Sequence, residues 1–361
     1  MTVPDGFALV NPESYKDLAK NTGGLLNEYS AFANCHEIVR ASDEVIVDRH
    51  YGLAYHRLEF RPAAIYGWTE DLPDFSGDSL ANYGFLRVPF RRIPRRIVRS
   101  RTEIEELLAN IKFEDPNLQM LFRGQTSEHR ITRSSETSQL LFGKDAVLEP
   151  SLTTSASRRA PALEDVLPEW CVLLRSFIAD LHCENKEKLF TSFAYPLFAL
   201  ALAQHYGLPT SGLDVTDRLE VALFFAQMKY EKPAGGYNAT YMRNIDSSRM
   251  PVLYILFPPK QQQFDYEGYR PKGFPCGRPD AQAARFMHMA WGHADNICAS
   301  RIFLALYLDP AGDFGSIPSP EDLFPKTDTD LFAGFLERAR TLHLPDKLAQ
   351  ILADGFYLVT T

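Results

Sequence analysis

The run Leu121-Phe122-Arg123-Gly124-Gln125-Thr126 turns from apolar to polar within three residues, so that what reads as a buried strand ends in an arginine, a glycine and a glutamine. An arginine there offers a planar, permanently charged fork that clamps phosphate or ribose oxygens in pairs. A bare glycine beside it lets a ligand approach the backbone. A second polar group lies in "LAQHYGLPTSGLDVTDRLEVALFFA", where His205 and Tyr206 close one apolar stretch and Asp214 and Thr216 precede another. A third is Gln282 in "RPDAQAARF". Each has a structural reading beside the chemical one: Arg123 ties two strands together through Asp214, His205 satisfies a helix end, and Asp214 and Thr216 cap the following helix. His205, Asp214 and Asp217 together also compose a candidate metal-hydrolase set. His288, His293 and Asp295 match no established metal-ligand spacing.

The elements that must position these groups follow from periodicity. A helix is expected from Thr102, where Thr102 and Glu105 form a capping box and Ile104, Leu107, Leu108 and Ile111 recur on one face. Gln119 to Phe122 reads as a strand, Pro168 to Cys183 as an amphipathic helix, and the stretch from Phe193 to Tyr206 as a buried helix stopped by Gly207. Leu213 to Val215 reads as a strand or turn, Asp217 to Lys229 as a helix capped by Thr216 or Asp217, and "PVLYILF" and "IFLALYL" as apolar strands. "SLTTSASR" is a loop, either for a ligand or simply a turn. The basic run Arg91 to Arg101 is an edge strand with charged teeth or a contact for phosphates. Strands and helices alternate irregularly, which indicates an α+β domain over residues 95–361, preceded by a β-rich lead-in over residues 1–94.

The 361 residues are 45% hydrophobic, enough to bury a sizeable core in one large or two modest domains. A formal charge of -8 argues against a surface that coats nucleic acid, although it leaves a local basic patch open. No Gly-x-Gly-x-x-Gly or Walker loop occurs. Five cysteines without Cys-x-x-Cys spacing suggest reduced thiols in a cytoplasm. The longest apolar run, Phe193 to Ala203, is too short to span a bilayer, and no leader is expected at the N-terminus.

"LFRGQT" with "HYGLPT" and "LDVT" resembles the FRG domain family, whose members carry Phe-Arg-Gly-Gln, then His-Tyr-Gly-Leu-Pro-Thr, then Leu-Asp-x-Thr leading into an apolar helix. The likeness runs from about Val98 to "LPDKLAQILADGF". The chain departs from the family at Ser211, where an arginine is usual, at "PSLTTSASRR", and at Gln282-Ala283, where Gln-Gly is usual.

The order of elements is also similar to that of mono-ADP-ribosyltransferases of the Arg-Ser-Glu type: an arginine ending a first strand, a Ser/Thr strand running into a helix, an apolar strand, then a turn bearing the glutamate. This resemblance implies an ADP-ribosyltransferase-like split sheet with flanking helices, and NAD as substrate with no metal. Arg123 is then the clamp, with Gly124, Gln125 and Tyr206 against the nucleotide. Thr216 and Gln282 lie at the ribose, Asp214 or Asp280 supplies the missing charge, and His205 is a further catalytic candidate. It implies a bacterial toxin or antiphage effector that meets a small nucleotide and a protein or nucleic-acid target, with an antitoxin or regulatory partner and no membrane. The alternative is a non-catalytic module that binds a nucleotide or nucleic-acid phosphate.

Overall fold

The computed structural model describes residues 38–40, 45–48, 53–56, 95–111, 119–135, 148–158, 163–192, 194–234, 236–244, 249–258, 263–264, 269–274, 276–288 and 296–359. Cys35, His293 and Asp295 lie outside these, as do Arg91 to Ile93 of the basic run. Three short strands, β1 (Ile38–Arg40), β2 (Val45–Asp48) and β3 (Leu53–His56), form an antiparallel sheet within the lead-in.

The next elements in order are β4 (Arg95–Ser100), α1 (Arg101–Ala109), β5 (Leu121–Gln125) and the paired strands β6 (Arg130–Thr132) and β7 (Leu148–Pro150). Helices α2 (Leu167–Ala179), α3 (Lys186–Phe190) and α4 (Tyr195–His205) lead into β8 (Gly212–Thr216) and α5 (Leu219–Gln227). Strands β9 (Met228–Glu231), β10 (Asn238–Arg243), β11 (Val252–Leu256) and β12 (Gln263–Phe264) follow, then α6 (Gly277–Ala281), β13 (Ala284–His288) and β14 (Ile302–Asp313). Helices α7 (Pro320–Leu323), α8 (Leu331–Ala339) and α9 (Asp346–Gly355) and strand β15 (Leu358–Val359) complete the chain. The class is α+β.

Seven strands build the main sheet in the order β12-β13-β8-β5-β11-β14-β4, antiparallel throughout except for the β14–β4 pair. β11 is buried along its whole length, which is why "VLYIL" shows no alternation. β4 sits at one end of the sheet with Val98 buried while Arg96 and Ile97 face solvent, the charged-tooth edge expected of that run.

Among the described residues, two of the three buried clusters are the larger cores that pack on the sheet. One joins Phe122, Leu223, Leu253, Leu306 and Ile104; the other packs α4 among α2, α8 and α9 through Trp170, Phe198, Phe332 and Leu352. α4 is apolar all round, as a helix enclosed on every side must be.

Several boundaries differ from the sequence reading. α1 is capped by Ser100 instead of Thr102: Ser100 Oγ accepts the Glu103 N–H at 3.2 Å, and the Glu103 carboxylate accepts the Arg99 N–H at 2.7 Å. Two Ser/Thr-x-x-Glu patterns overlap there, and the earlier one wins because Glu105 turns instead to Arg101. α2 stops at Ala179, short of Cys183. α5 starts two residues late, with Arg218 at its N-cap, although Thr216 Oγ1 still accepts the Arg218 N–H at 3.1 Å.

Candidate functional site

The sheet order carries three distant motifs to one place. β8 lies beside β5, with Thr216 opposite Phe122, and β13 lies on the other side of β8, with Ala284 opposite Thr216. Gln282, two residues before Ala284, therefore arrives next to Thr216. Arg123, Asp214, Thr216 and Gln282 line one cavity of about 210 Å³, walled by Phe225, Tyr241 and Tyr357. A second cavity of about 380 Å³ shares Arg123, Gly124, Phe225 and Tyr241 with it, so the two are lobes of one cleft. The larger lobe has the size of a small-molecule site, and the smaller one falls below that range on its own.

Arg123 does tie two strands together, but through the backbone: its Nη1 donates to the Asp214 carbonyl oxygen at 2.5 Å. Its Nε is buried with no hydrogen-bond partner among the described residues. A buried guanidinium N–H left over in this way is a donor in need of an acceptor. Burial lowers the Arg123 pKa, and Asp214, Cys298 and Tyr254 pull it back; an arginine so placed stays charged.

With its carbonyl used by Arg123, the Asp214 carboxylate is 3.3 Å from His205 Nδ1 and keeps about a third of its side-chain surface exposed. His205 is held below the usual histidine range, first by burial and also by Arg278, while Asp214 works the other way. At neutral pH the imidazole is uncharged, and Asp214 is the acidic residue among the described lining of the smaller lobe.

Thr216 and Gln282 meet, but by an arrangement that spends much of their polarity on structure. Thr216 Oγ1 donates to the Gln282 carbonyl at 2.9 Å, pinning the turn to β8, and the Gln282 side chain donates from Nε2 to the Leu323 carbonyl at 3.1 Å. Ala283, where family members carry glycine, has φ +41°, in the left-handed region where a Cβ is strained.

Gly124 has a role other than ligand approach. A Cβ on it would fall 1.8 Å from the Ala222 carbonyl oxygen, so this glycine lets β5 lie directly on α5. Gln125 lines the larger lobe, its Oε1 buried without a hydrogen-bond partner among the described residues.

Of the expected groups, His205 lines neither lobe and reaches the smaller one only through Asp214, and three others sit elsewhere. Tyr206 lines neither lobe: it is fully buried, with its hydroxyl on the Asp330 carboxylate at 2.7 and 2.8 Å. Asp280 pairs with Arg270 and lines neither lobe. Asp217 is 3.1 Å from Arg285. Among the described residues no group of three or more His, Cys, Asp or Glu is placed to hold a metal ion, and no helix is long and apolar enough to cross a membrane.

Sequence reasoning missed Arg278. Nearly all of it is buried, its guanidinium 4.5 Å from the Tyr206 ring centroid and 5.0 Å from that of Tyr357. It donates to the His205 carbonyl at 3.0 Å and the Tyr357 carbonyl at 3.2 Å, while its own carbonyl accepts the Gln282 N–H at 3.1 Å. Arg278 thus joins the end of α4, the C-terminal segment and the Gln282 turn. Its charge was visible in "GRPDAQ", but the aromatic faces that receive it come from distant segments.

The family model of the FRG domain matches residues 119–234, the span from the Arg123 strand through α5 and β9. The chain carries an FRG domain. No curated protein and no solved structure matches it.

Proposed function

We propose that the cleft binds a nicotinamide dinucleotide and releases nicotinamide, with transfer of the ADP-ribosyl group to an acceptor. One observation carries this reading: Arg123 and the Asp214 and Thr216 pair, from two neighbouring strands, and Gln282, from the turn that leads into a third, line the same small cavity. In the reaction the bond from ribose C1′ to the pyridinium nitrogen breaks, and its electron pair leaves with nicotinamide, which becomes neutral. The sugar passes through an oxocarbenium-like state, and a lone pair of the acceptor or of water forms the new bond to C1′ while its proton passes to solvent.

Such a state demands rigid placement and a nearby negative charge. Arg123 holds a phosphate or ribose oxygen, and the Asp214 carboxylate supplies the charge that the neutral Gln282 lacks. Thr216 acts through the turn it pins, and His205 keeps Asp214 in place. The aromatic wall of Phe225, Tyr241 and Tyr357 suits the flat face of a base. The ADP-ribosyltransferase-like split sheet belongs to the same reading, supported by the adjacency of β5, β8 and β13.

The test is folded full-length protein with NAD labelled in either half, followed for nicotinamide release and for transfer to lysate. Release that disappears in Asp214→Asn supports the reading; no release and no transfer refutes it. The spent amide of Gln282 favours a second reading, a module that binds nucleotide or phosphate without chemistry. Binding lost in Arg123→Ala, with no turnover in any variant, selects that one.

A further inference from the structure

Among the described residues, no carboxylate lines the larger lobe of the cleft. Its basic lining among the described residues arrives from four segments: the cations Arg123 on β5, Arg158 in loop 151–158 and Lys229 on β9, and the imidazole of His129 in the turn after β5. The concentration of positive charge is felt by His129, whose pKa is lowered by burial first and then by Arg158, Arg123 and Arg249. The acidic neighbour Glu128 is engaged with Arg95 and Arg130, and Lys229 has an exposed pairing with Glu231 at 2.9 Å. Gathering like charges around a concavity opposes folding unless a ligand of opposite sign gains from it.

The lobe is also preorganised. Ser151 N–H donates to the His129 carbonyl at 2.8 Å, Leu152 N–H to Asn296 Oδ1 at 2.7 Å, and Ala156 N–H to the Thr210 carbonyl at 3.1 Å. The loop that presents Arg158 is therefore anchored to "LPT" before any ligand comes. Arg123 meanwhile retains a buried Nε–H without a partner among the described residues.

We propose that the larger lobe is a phosphate subsite, in which Arg158, His129 and Lys229 grip the oxygens of a phosphate group and the positive charge of Arg123 lines its inner wall. The phosphate belongs to the bound nucleotide itself or to a second, phosphate-bearing molecule. The subsite shares the cleft with the proposed dinucleotide but does not rest on turnover. A chain that binds pyrophosphate and cleaves no dinucleotide keeps this subsite and loses that reading.

The experiment is calorimetric titration of the full chain with pyrophosphate, and with sulfate, which stays a dianion from pH 6 to 8. Pyrophosphate is expected to bind about tenfold or more weakly in Arg158→Gln, the loss of a charge-assisted contact, with thermal unfolding confirming that the variant folds. Sulfate affinity is expected to rise severalfold as pH falls from 8 to 6, and His129→Gln to flatten that rise. Wild-type pyrophosphate affinity in both variants, or no anion binding at all, overturns the proposal. Two further arms identify the source: ADP-ribose weakened by Arg158→Gln and displaced by pyrophosphate assigns the subsite to the nucleotide. ADP-ribose unaffected, with a 5′-phosphorylated oligonucleotide weakened instead, assigns it to a separate molecule.

Discussion

Gly124→Ala should separate two explanations of the glycine in "FRGQ". A methyl group at this position would lie 1.8 Å from the Ala222 oxygen, 2.6 Å from the Ala226 nitrogen and 2.9 Å from the Ala222 carbonyl carbon. All three are backbone atoms of α5, so no side chain can swing aside. Carbon atoms rest about 3.5 Å or more from such neighbours, so β5 and α5 must part by more than about 1.5 Å along a seam filled by Ala222, Ala226 and Phe122. Overpacking usually costs about 1–3 kcal/mol, and with a rigid helix as the obstacle the cost should be ~3 kcal/mol or more, a large share of a typical domain's stability. Urea unfolding of the full chain, followed by circular dichroism, reads this as a lower midpoint. Gly236→Ala is the control, since its nearest neighbours, Pro233 atoms, are 3.5 and 3.6 Å away, and it should shift the midpoint little. If Gly124→Ala unfolds with the wild-type midpoint while nucleotide affinity collapses, the glycine serves the ligand, and the close strand–helix contact is not what requires it.

Ala283→Gly should stabilise the chain by about 0.5–1 kcal/mol, because φ +41° at Ala283 suits glycine; an unchanged or lower melting temperature would count against strain at the turn. Arg123→Lys should cost about 1 kcal/mol in urea unfolding through the lost bond to the Asp214 carbonyl and weaken nucleotide binding about tenfold in calorimetry, since an ammonium has no fork. Asp330→Asn should lower stability by roughly 1–3 kcal/mol, because that buried carboxylate accepts from the Tyr206 hydroxyl and from the Arg278 and Ala333 N–H groups; melting at neutral pH measures it. Stability should fall as pH drops below 6.5: the unfolded chain then takes up a proton that buried His205, with its depressed pKa, refuses. Unfolding titrations between pH 7 and 5 should show a shallower slope in His205→Gln, whatever the absolute stability of that variant.

The elements of this chain were easier to read than their pairing. "PVLYILF" and "IFLALYL" are short, apolar and β-branched or aromatic, and they became β11 and the first part of β14. The stretch up to His205 became α4 because nothing polar interrupts it, and Gly207 at φ +87° ends it as a glycine there should. What periodicity does not encode is register across the sheet. Nothing in "LDVT" or "DAQAAR" announces that Thr216 will stand opposite both Phe122 and Ala284. The larger lobe was illegible for a similar reason: His129, Arg158 and Lys229 are single charges in unrelated segments, and only the fold makes them neighbours. Tyr206 misled because a motif aromatic beside a histidine looks like a ligand contact, whereas its hydroxyl is taken by Asp330, 124 residues further on.

"HYGLPT" is then best understood as a joint on which both lobes depend. His205 meets Asp214 of the smaller lobe, and its carbonyl is held by Arg278. Thr210 exchanges hydrogen bonds with the other side: its N–H donates to Ser155 Oγ at 2.8 Å, and its carbonyl receives the Ala156 N–H at 3.1 Å. Pro209 adds a carbonyl for the Leu163 N–H at 3.1 Å. Six residues thus fix the Asp214 strand on one flank and the Arg158 loop on the other, with Arg123 between them and shared by both cavities. The His-Tyr-Gly-Leu-Pro-Thr segment needs no group in contact with a ligand to govern the cleft, because the spacing of its two lobes is set where this segment turns.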